Sequence, residues 1–139
     1  MHKSTRLALG FAIATAGAGA IAFAAAPDAA AAPSICPALP GQTATAPGCS
    51  AAATDNGLSL AISADGGNAT STATNLAAPA AIAIGPNASV TMTGVRPGLA
   101  IGIAGPGASV TVNGVTGPTC TGTGPAFAGD FQTVQGCWR

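Results

Sequence analysis

Four cysteines, Cys36, Cys49, Cys120 and Cys137, are the side chains of this sequence best suited to covalent chemistry. All four lie downstream of an export-type leader, and an oxidising compartment makes two disulfides the default state of four thiols. Three pairings are possible. Cys36–Cys49 and Cys120–Cys137 are preferred, because each closes a short segment rich in Pro and Gly, and loops of that size contribute about 3 kcal/mol each in the chain-entropy model. Metal ligation is the competing chemistry. It requires closely spaced thiolates or histidine partners, but there is no C-x-x-C and the single histidine, His2, sits in the leader. Neither a metal nor any other cofactor is expected.

Other reactive constellations are sparse. A nucleophilic Ser, Thr or Cys needs a base beside it, and downstream of the leader the sequence has neither His nor Lys. Two carboxylates, Asp55 and Asp65, stand in "TDNG" and "ADGG". Both fit turn positions, where an Asp side chain bonds its own backbone. "ADGGN" is similar to the glycine-rich calcium repeats of β-rolls, but those need a tandem array of carboxylates, and the equivalent turns here read "GPN" and "GPG". Asn68 and Asn87 head the sequons "NAT" and "NAS" and are read as turn asparagines. No catalytic residue is assigned and an enzyme is not expected. The only cations after the leader are Arg96 and Arg139, too few to displace counterions from phosphates or to hold an anionic bilayer. Nucleic acid is excluded as a partner, as is a membrane beyond the leader.

The amino terminus carries the compartment signal. His2, Lys3 and Arg6 form a basic start, 7–23 is an uncharged apolar run, and the small-residue tract "AAAPDAAAAPS" follows. That order defines a secretory signal peptide, helical and assigned to 1–31, with cleavage expected after Ala24, Ala25 or Ala31. Arg6 lacks a neighbouring Arg, so the export signal is not of the twin-arginine type. The location that follows is secreted or cell envelope. The remainder divides into an N-terminal disulfide cap at 32–57, a β repeat region at 58–115 and a C-terminal disulfide cap at 116–139.

The repeat region explains what positions these residues. "GPNASVTMTGV" at 85–95 returns as "GPGASVTVNGV" at 105–115, and a weaker copy, "GGNATSTATN", lies at 66–75. Three units of nineteen to twenty residues result, near 58–76, 77–96 and 97–115, which is about the minimum for a stacked architecture. Each unit has two strand-like halves of period two, the pattern of half-buried strands. The first halves, 58–62, 80–84 and 99–103, alternate large apolar residues: Leu58, Leu60, Ile62; Ile82, Ile84; Leu99, Ile101, Ile103. The second halves put Ala69, Ser71, Ala73, Ala88, Val90, Met92, Ala108, Val110 and Val112 on one side and a Thr-rich set on the other. Ile82 and Ile84 align with Ile101 and Ile103 at nineteen residues, while the Gly-Pro pairs align at twenty. Ala104 is therefore the extra residue, absorbed as a bulge. The expected fold is all-β: a short β-solenoid or β-roll of about three units between disulfide-closed caps. The alternative is an antiparallel meander or small sandwich. Near-identical phrases favour the solenoid, where like residues stack on like.

The stretch "AIAIGPNASV" at 81–90 resembles the head repeat of trimeric autotransporter adhesins, with "IAGPGASV" as a degraded second copy. That resemblance implies a parallel β-roll backbone. The whole chain, with its Ala-rich leader, four cysteines and Thr/Ala ladders, resembles small uncharacterised exported proteins of actinobacteria, which implies location and leaves activity open. Thr70, Thr72, Thr74, Thr91, Thr93 and Thr111 form a possible binding face. Its T-x-T array resembles that of insect-type ice-binding solenoids, although Thr is also a favourable residue on any exposed strand. Phe127, Phe131 and Trp138 are expected to fold over the last coil as a cap; the functional reading of the same rings is a binding edge. Together these observations predict an exported non-enzymatic protein that acts in surface or cell-envelope interaction or as an envelope component, with a protein or an envelope glycan as partner. The alternative is a ligand-binding module for glycan or ice built on the Thr-rich face.

Overall fold

The computed structural model describes residues 32–139 apart from Asp55. The signal peptide expected over 1–31 and the turn role of Asp55 lie outside the described residues. The described chain is built of strands: β1 (Ser34–Ala38), β2 (Thr43–Ala46), β3 (Cys49–Ala53), β4 (Ser59–Ala64), β5 (Asn68–Ala73), β6 (Ala77–Ile84), β7 (Ser89–Gly94), β8 (Gly98–Ala104), β9 (Ala108–Val112), β10 (Thr119–Gly122), β11 (Ala126–Asp130) and β12 (Gln135–Trp138). They form two six-stranded sheets. Sheet A has the order β1-β4-β6-β8-β11-β12 and sheet B the order β10-β9-β7-β5-β3-β2.

The centre of each sheet is parallel. β4, β6 and β8 run side by side in sheet A, and β3, β5, β7 and β9 in sheet B. The chain alternates between the sheets, so this is a β-solenoid of three turns with like residues stacked: Val90 pairs with Val110, Thr70 with Thr91 and Thr91 with Thr111. The flanking strands pair antiparallel. β1 lies on β4 and β2 on β3 at one end; β10 lies on β9, β11 on β8 and β12 on β11 at the other.

The register departs from the spacing expected from sequence. Leu60 pairs with Ala80, Ile82 with Ile103, and Ser89 with Ser109. The turns of the solenoid are therefore twenty or twenty-one residues long. Ala104 is no bulge: it pairs regularly with Ala83 and is fully buried. The extra residue lies in the 85–88 turn instead, which has four residues where the 65–67 and 105–107 turns have three. Turns absorb length more readily than a ladder does, because only their end points are fixed by pairing. Gly85, in the longer turn, has a φ of 96°, and a Cβ there would lie 2.5 Å from Pro106 Cγ in the turn above. Glycine is required on both counts.

The interior is lined mostly by small residues from both sheets, Ala51, Ala53, Ala69, Ser71 and Ala73 of sheet B among them, and the larger side chains enter only from β7 and β9. From sheet A come Ala61, Ala81, Ala83, Ala100, Ala104 and Gly102; from sheet B come Val90, Met92, Val110 and Val112. A Cβ on Gly102 would lie 2.7 Å from Met92 Sδ and 3.0 Å from both Val110 Cγ1 and Val90 Cγ1. Two serines inside the first turn satisfy one another and the next turn: Ser59 Oγ donates to Ser71 Oγ at 2.7 Å, and Ser71 Oγ to the Pro79 carbonyl at 3.0 Å. Buried hydroxyls without such partners would each be costly.

Two expectations are corrected here. The large residues of the first halves do not supply the core. Leu58, Ile84 and Leu99 are exposed, and Leu60, Ile62, Ile82, Ile101 and Ile103 are only half-buried, because their strands turn the intervening Ala, Ser and Gly residues inward. Nor do aromatic rings cap the last coil. Ala126, Ala128 and Asp130 point inward from β11, so alternation turns Phe127 out; Phe131 and Trp138 are exposed as well.

Both disulfides form as the loop lengths suggest, Cys36–Cys49 and Cys120–Cys137. Each is a clip between the sheets. Cys36 lies on β1 of sheet A and Cys49 on β3 of sheet B; Cys120 lies on β10 of sheet B and Cys137 on β12 of sheet A. Non-reducing peptide mapping is expected to recover these two links and no cross-link between the two ends. Val110→Asp, which buries an unpaired carboxylate, is expected to destabilise by more than about 4 kcal/mol and unfold the protein. Thr91→Asp on the outer face of sheet B should stay within about 1 kcal/mol of the parent. Thermal melts of the two variants check the assignment of inner and outer faces in sheet B.

Candidate functional site

The two outward faces are the features that distinguish this solenoid, and they differ completely in chemistry. On sheet A the pairing places Ile35 beside Ile62, Ile62 beside Ile82, Ile82 beside Ile103, Ile103 beside Phe127 and Phe127 beside Trp138. This is one unbroken apolar row across all six strands. The neighbouring row runs Pro37, Leu60, Ala80, Ile101, Gly129 and Gly136. Sheet geometry sets about 4.8 Å between neighbours along a row and about 7 Å between rows. Alongside the second row, at one end of the strands, stand Leu39, Leu58, Leu99 and Phe131, each more than half exposed. The only charged residue among these six strands is Asp130, and it points inward, 2% exposed.

A hollow of about 320 Å³ opens at the other end of this face, lined by Ile84, Ile103, Pro125, Phe127 and Arg139, among others. Its walls come from the ends of β6 and β8, Gly105 of the turn after β8, the start of β11 and Arg139. It is mostly apolar, and it continues the face.

Sheet B presents hydroxyls. Thr45, Ser50, Thr70, Thr91, Thr111 and Thr119 form a row across its six strands. Asn68, Ser89, Ser109 and Thr121 form a second row, and Thr43, Ala52, Thr72 and Thr93 a third. The residues singled out from sequence, Thr70, Thr72, Thr91, Thr93 and Thr111, thus share one surface. Thr74 sits at its end, where its Oγ1 donates to the Gly94 carbonyl at 3.1 Å. The sequence reading missed Thr43, Thr45, Thr119 and Thr121, which belong to the flanking strands, and Ser50 on β3, which precedes the repeat units.

A third cluster closes the last turn. The buried Asp130 carboxylate accepts the Gln132 N–H at 2.8 Å and the Thr133 hydroxyl at 2.9 Å. Gln132 Oε1 in turn accepts the N–H groups of Val95 and Arg96 at 3.2 and 3.1 Å. This ties the C-terminal strands to the loop after β7 and is a structural brace. Asp65, the carboxylate weighed for acid–base work, is an exposed turn residue with φ 50°. Among the described residues no three His, Cys, Asp or Glu side chains converge.

Neither a protein-family model, nor a curated protein, nor a solved structure matches this chain. The surfaces themselves carry the functional argument.

Adjacent residues of β6 give a direct check on the apolar face. Ala81 is fully buried and Ile82 faces outward. Ala81→Asp is expected to abolish folding, and Ile82→Asp to leave a folded, protease-resistant protein with an unchanged β-sheet circular dichroism spectrum. The ordinary rule that larger apolar residues lie inside would give the opposite order.

Proposed function

We propose that this is an exported, non-enzymatic interaction protein of the cell envelope, and that its working surface is the apolar outer face of sheet A. One observation carries the reading: among the described residues, Ile, Leu, Phe and Trp side chains stand in ordered rows on the outside of a disulfide-clipped scaffold. Apolar patches beyond a few hundred Å² are rare on monomeric soluble proteins and mark interaction sites. The face spans six strands, so an area of about 500–750 Å² follows from strand spacing and length. Two disulfides within the stack support a working life in an oxidising compartment. The rigid, stacked backbone keeps the rows in place without a ligand.

The test is fractionation of cells that export the full chain. The parent protein should be retained with the envelope, and a variant carrying Ile62→Ser, Ile82→Ser and Ile103→Ser should be released to the medium. Equal partitioning of the two would remove the apolar face from the function.

A second reading rests on the hydroxyl row of sheet B. Six strands of Thr and Ser at regular spacing offer a grid for a glycan or for ice. Glycan-array binding or inhibition of ice recrystallisation that is lost on Thr70→Val, Thr91→Val and Thr111→Val would support it, and their absence in the parent protein would remove it.

A further inference from the structure

We infer that the apolar face of sheet A is covered by the same face of a second copy of this chain, so that the protein works as a face-to-face dimer. The inference rests on the reading that this face is the working surface, and it names the occupant.

Area is the first argument. Two such faces brought together would bury about 1,000–1,500 Å², which overlaps the range of about 1,200–2,000 Å² typical of stable interfaces. Composition is the second. Obligate dimer interfaces resemble a domain core cut in half, and this chain has divided its apolar residues in that manner. The apolar part of its interior is mostly Ala with Val, Cys, one Pro and a single Met, while the Ile, Leu, Phe and Trp of the described residues are kept outside. Placing two of these faces about 10 Å apart, the usual spacing of packed sheets, would assemble the large-residue core that a single copy lacks.

Charge is the third argument, and it selects among occupants. A partner recognised through ion pairs would need charges around the face, and an anionic lipid surface would need cations. Among the described residues the only cations are Arg96 and Arg139. The strands of the face hold only Asp130, turned inward, and one cation, Arg139, stands at the edge of the face beside the hollow. The best complement to an uncharged sheet face ruled by rows at fixed spacing is another with the same spacing, since ridges of one copy meet grooves of the other. Aligned sheets pack at about −30°, an angle that their own twist provides. Such a pair would turn both hydroxyl faces outward, at opposite sides of the assembly.

Sedimentation equilibrium of the exported protein at micromolar concentration tests this. The expected mass is that of two chains. Ile82→Asp, at the middle of the central row, should weaken self-association at least about a hundredfold, because each copy would bury an unpaired carboxylate. Thr91→Asp, on the other sheet, should leave the dimer intact, and circular dichroism confirms that both variants are folded. If Ile82→Asp proves unfolded, Ile82→Ser together with Ile103→Ser serves in its place. A monomeric parent, an assembly of any other size, or a dimer insensitive to the Ile82 substitution overturns the inference. A monomer that partitions into uncharged phospholipid vesicles would assign the face to lipid. A monomer whose envelope retention still depends on Ile62, Ile82 and Ile103 would sink the dimer and leave the functional reading standing; retention indifferent to those residues would sink both.

Discussion

The space between the two sheets is the constraint on which the rest of this structure depends. At Gly102 there is no room for an unopposed methyl group, since Met92, Val90 and Val110 already fill that layer from sheet B. The equivalent inward positions of the neighbouring turns are Ala61 and Ala81. Close-packed interiors tolerate little extra volume, and forcing more into them costs about 1–3 kcal/mol per site. With the inner side of β4, β6 and β8 held to Ala, Ser and Gly apart from Pro79, period two sends every Leu and Ile of those strands outward. The disulfides then have a definite task. A core of small side chains buries little apolar area, and burial contributes roughly 25 cal/mol per Å². Cross-links between the sheets at both ends offset that deficit by limiting the unfolded chain.

The parallel ladders convert this local rule into a surface. Because like stacks on like, one outward isoleucine per turn becomes a row, and the antiparallel strands β1, β11 and β12 extend it with Ile35, Phe127 and Trp138. The same logic on sheet B turns one threonine per turn into a hydroxyl row. A thin two-sheet stack with opposite chemistry on its two sides is thus a direct consequence of the repeat.

Much of this was legible in the sequence. The near-identical phrases at 85–95 and 105–115 point to stacking, period two marks the strands, and loop length gives the pairing of Cys36 with Cys49 and Cys120 with Cys137. Alternation, however, only says which residues share a face. Ala81 and Ile82 alternate equally well, and the habit of placing the larger residue inside chose the wrong one. A countersignal was present: Ala61, Ala81, Ala83, Ala100 and Ala104 alternate as strictly as the isoleucines, and Gly102 sits in their series. Such a series of very small residues marks a close approach of two layers. The register was misread for a related reason. A slip of two residues leaves every side chain on its face, so 19-residue and 21-residue alignments of the isoleucines look equally good until the turn lengths are known. The flanking strands carry no repeat, which is why the aromatic residues were placed over the last coil and half of the hydroxyl grid was missed.

The inverted arrangement of large and small residues in sheet A is tested most directly by hydroxyl-radical footprinting with mass-spectrometric readout. The folded, disulfide-intact protein would be labelled at a dilution where copies of the chain are apart. Met92 is among the most reactive side chains toward such radicals, yet it is fully buried between the sheets. Trp138 is expected to be modified at a rate close to that of the unfolded chain and the half-buried Ile62, Ile82 and Ile103 at a substantial fraction of it, with Met92 protected. Protected isoleucines together with a rapidly oxidised Met92 would contradict the structure described and the function built on it.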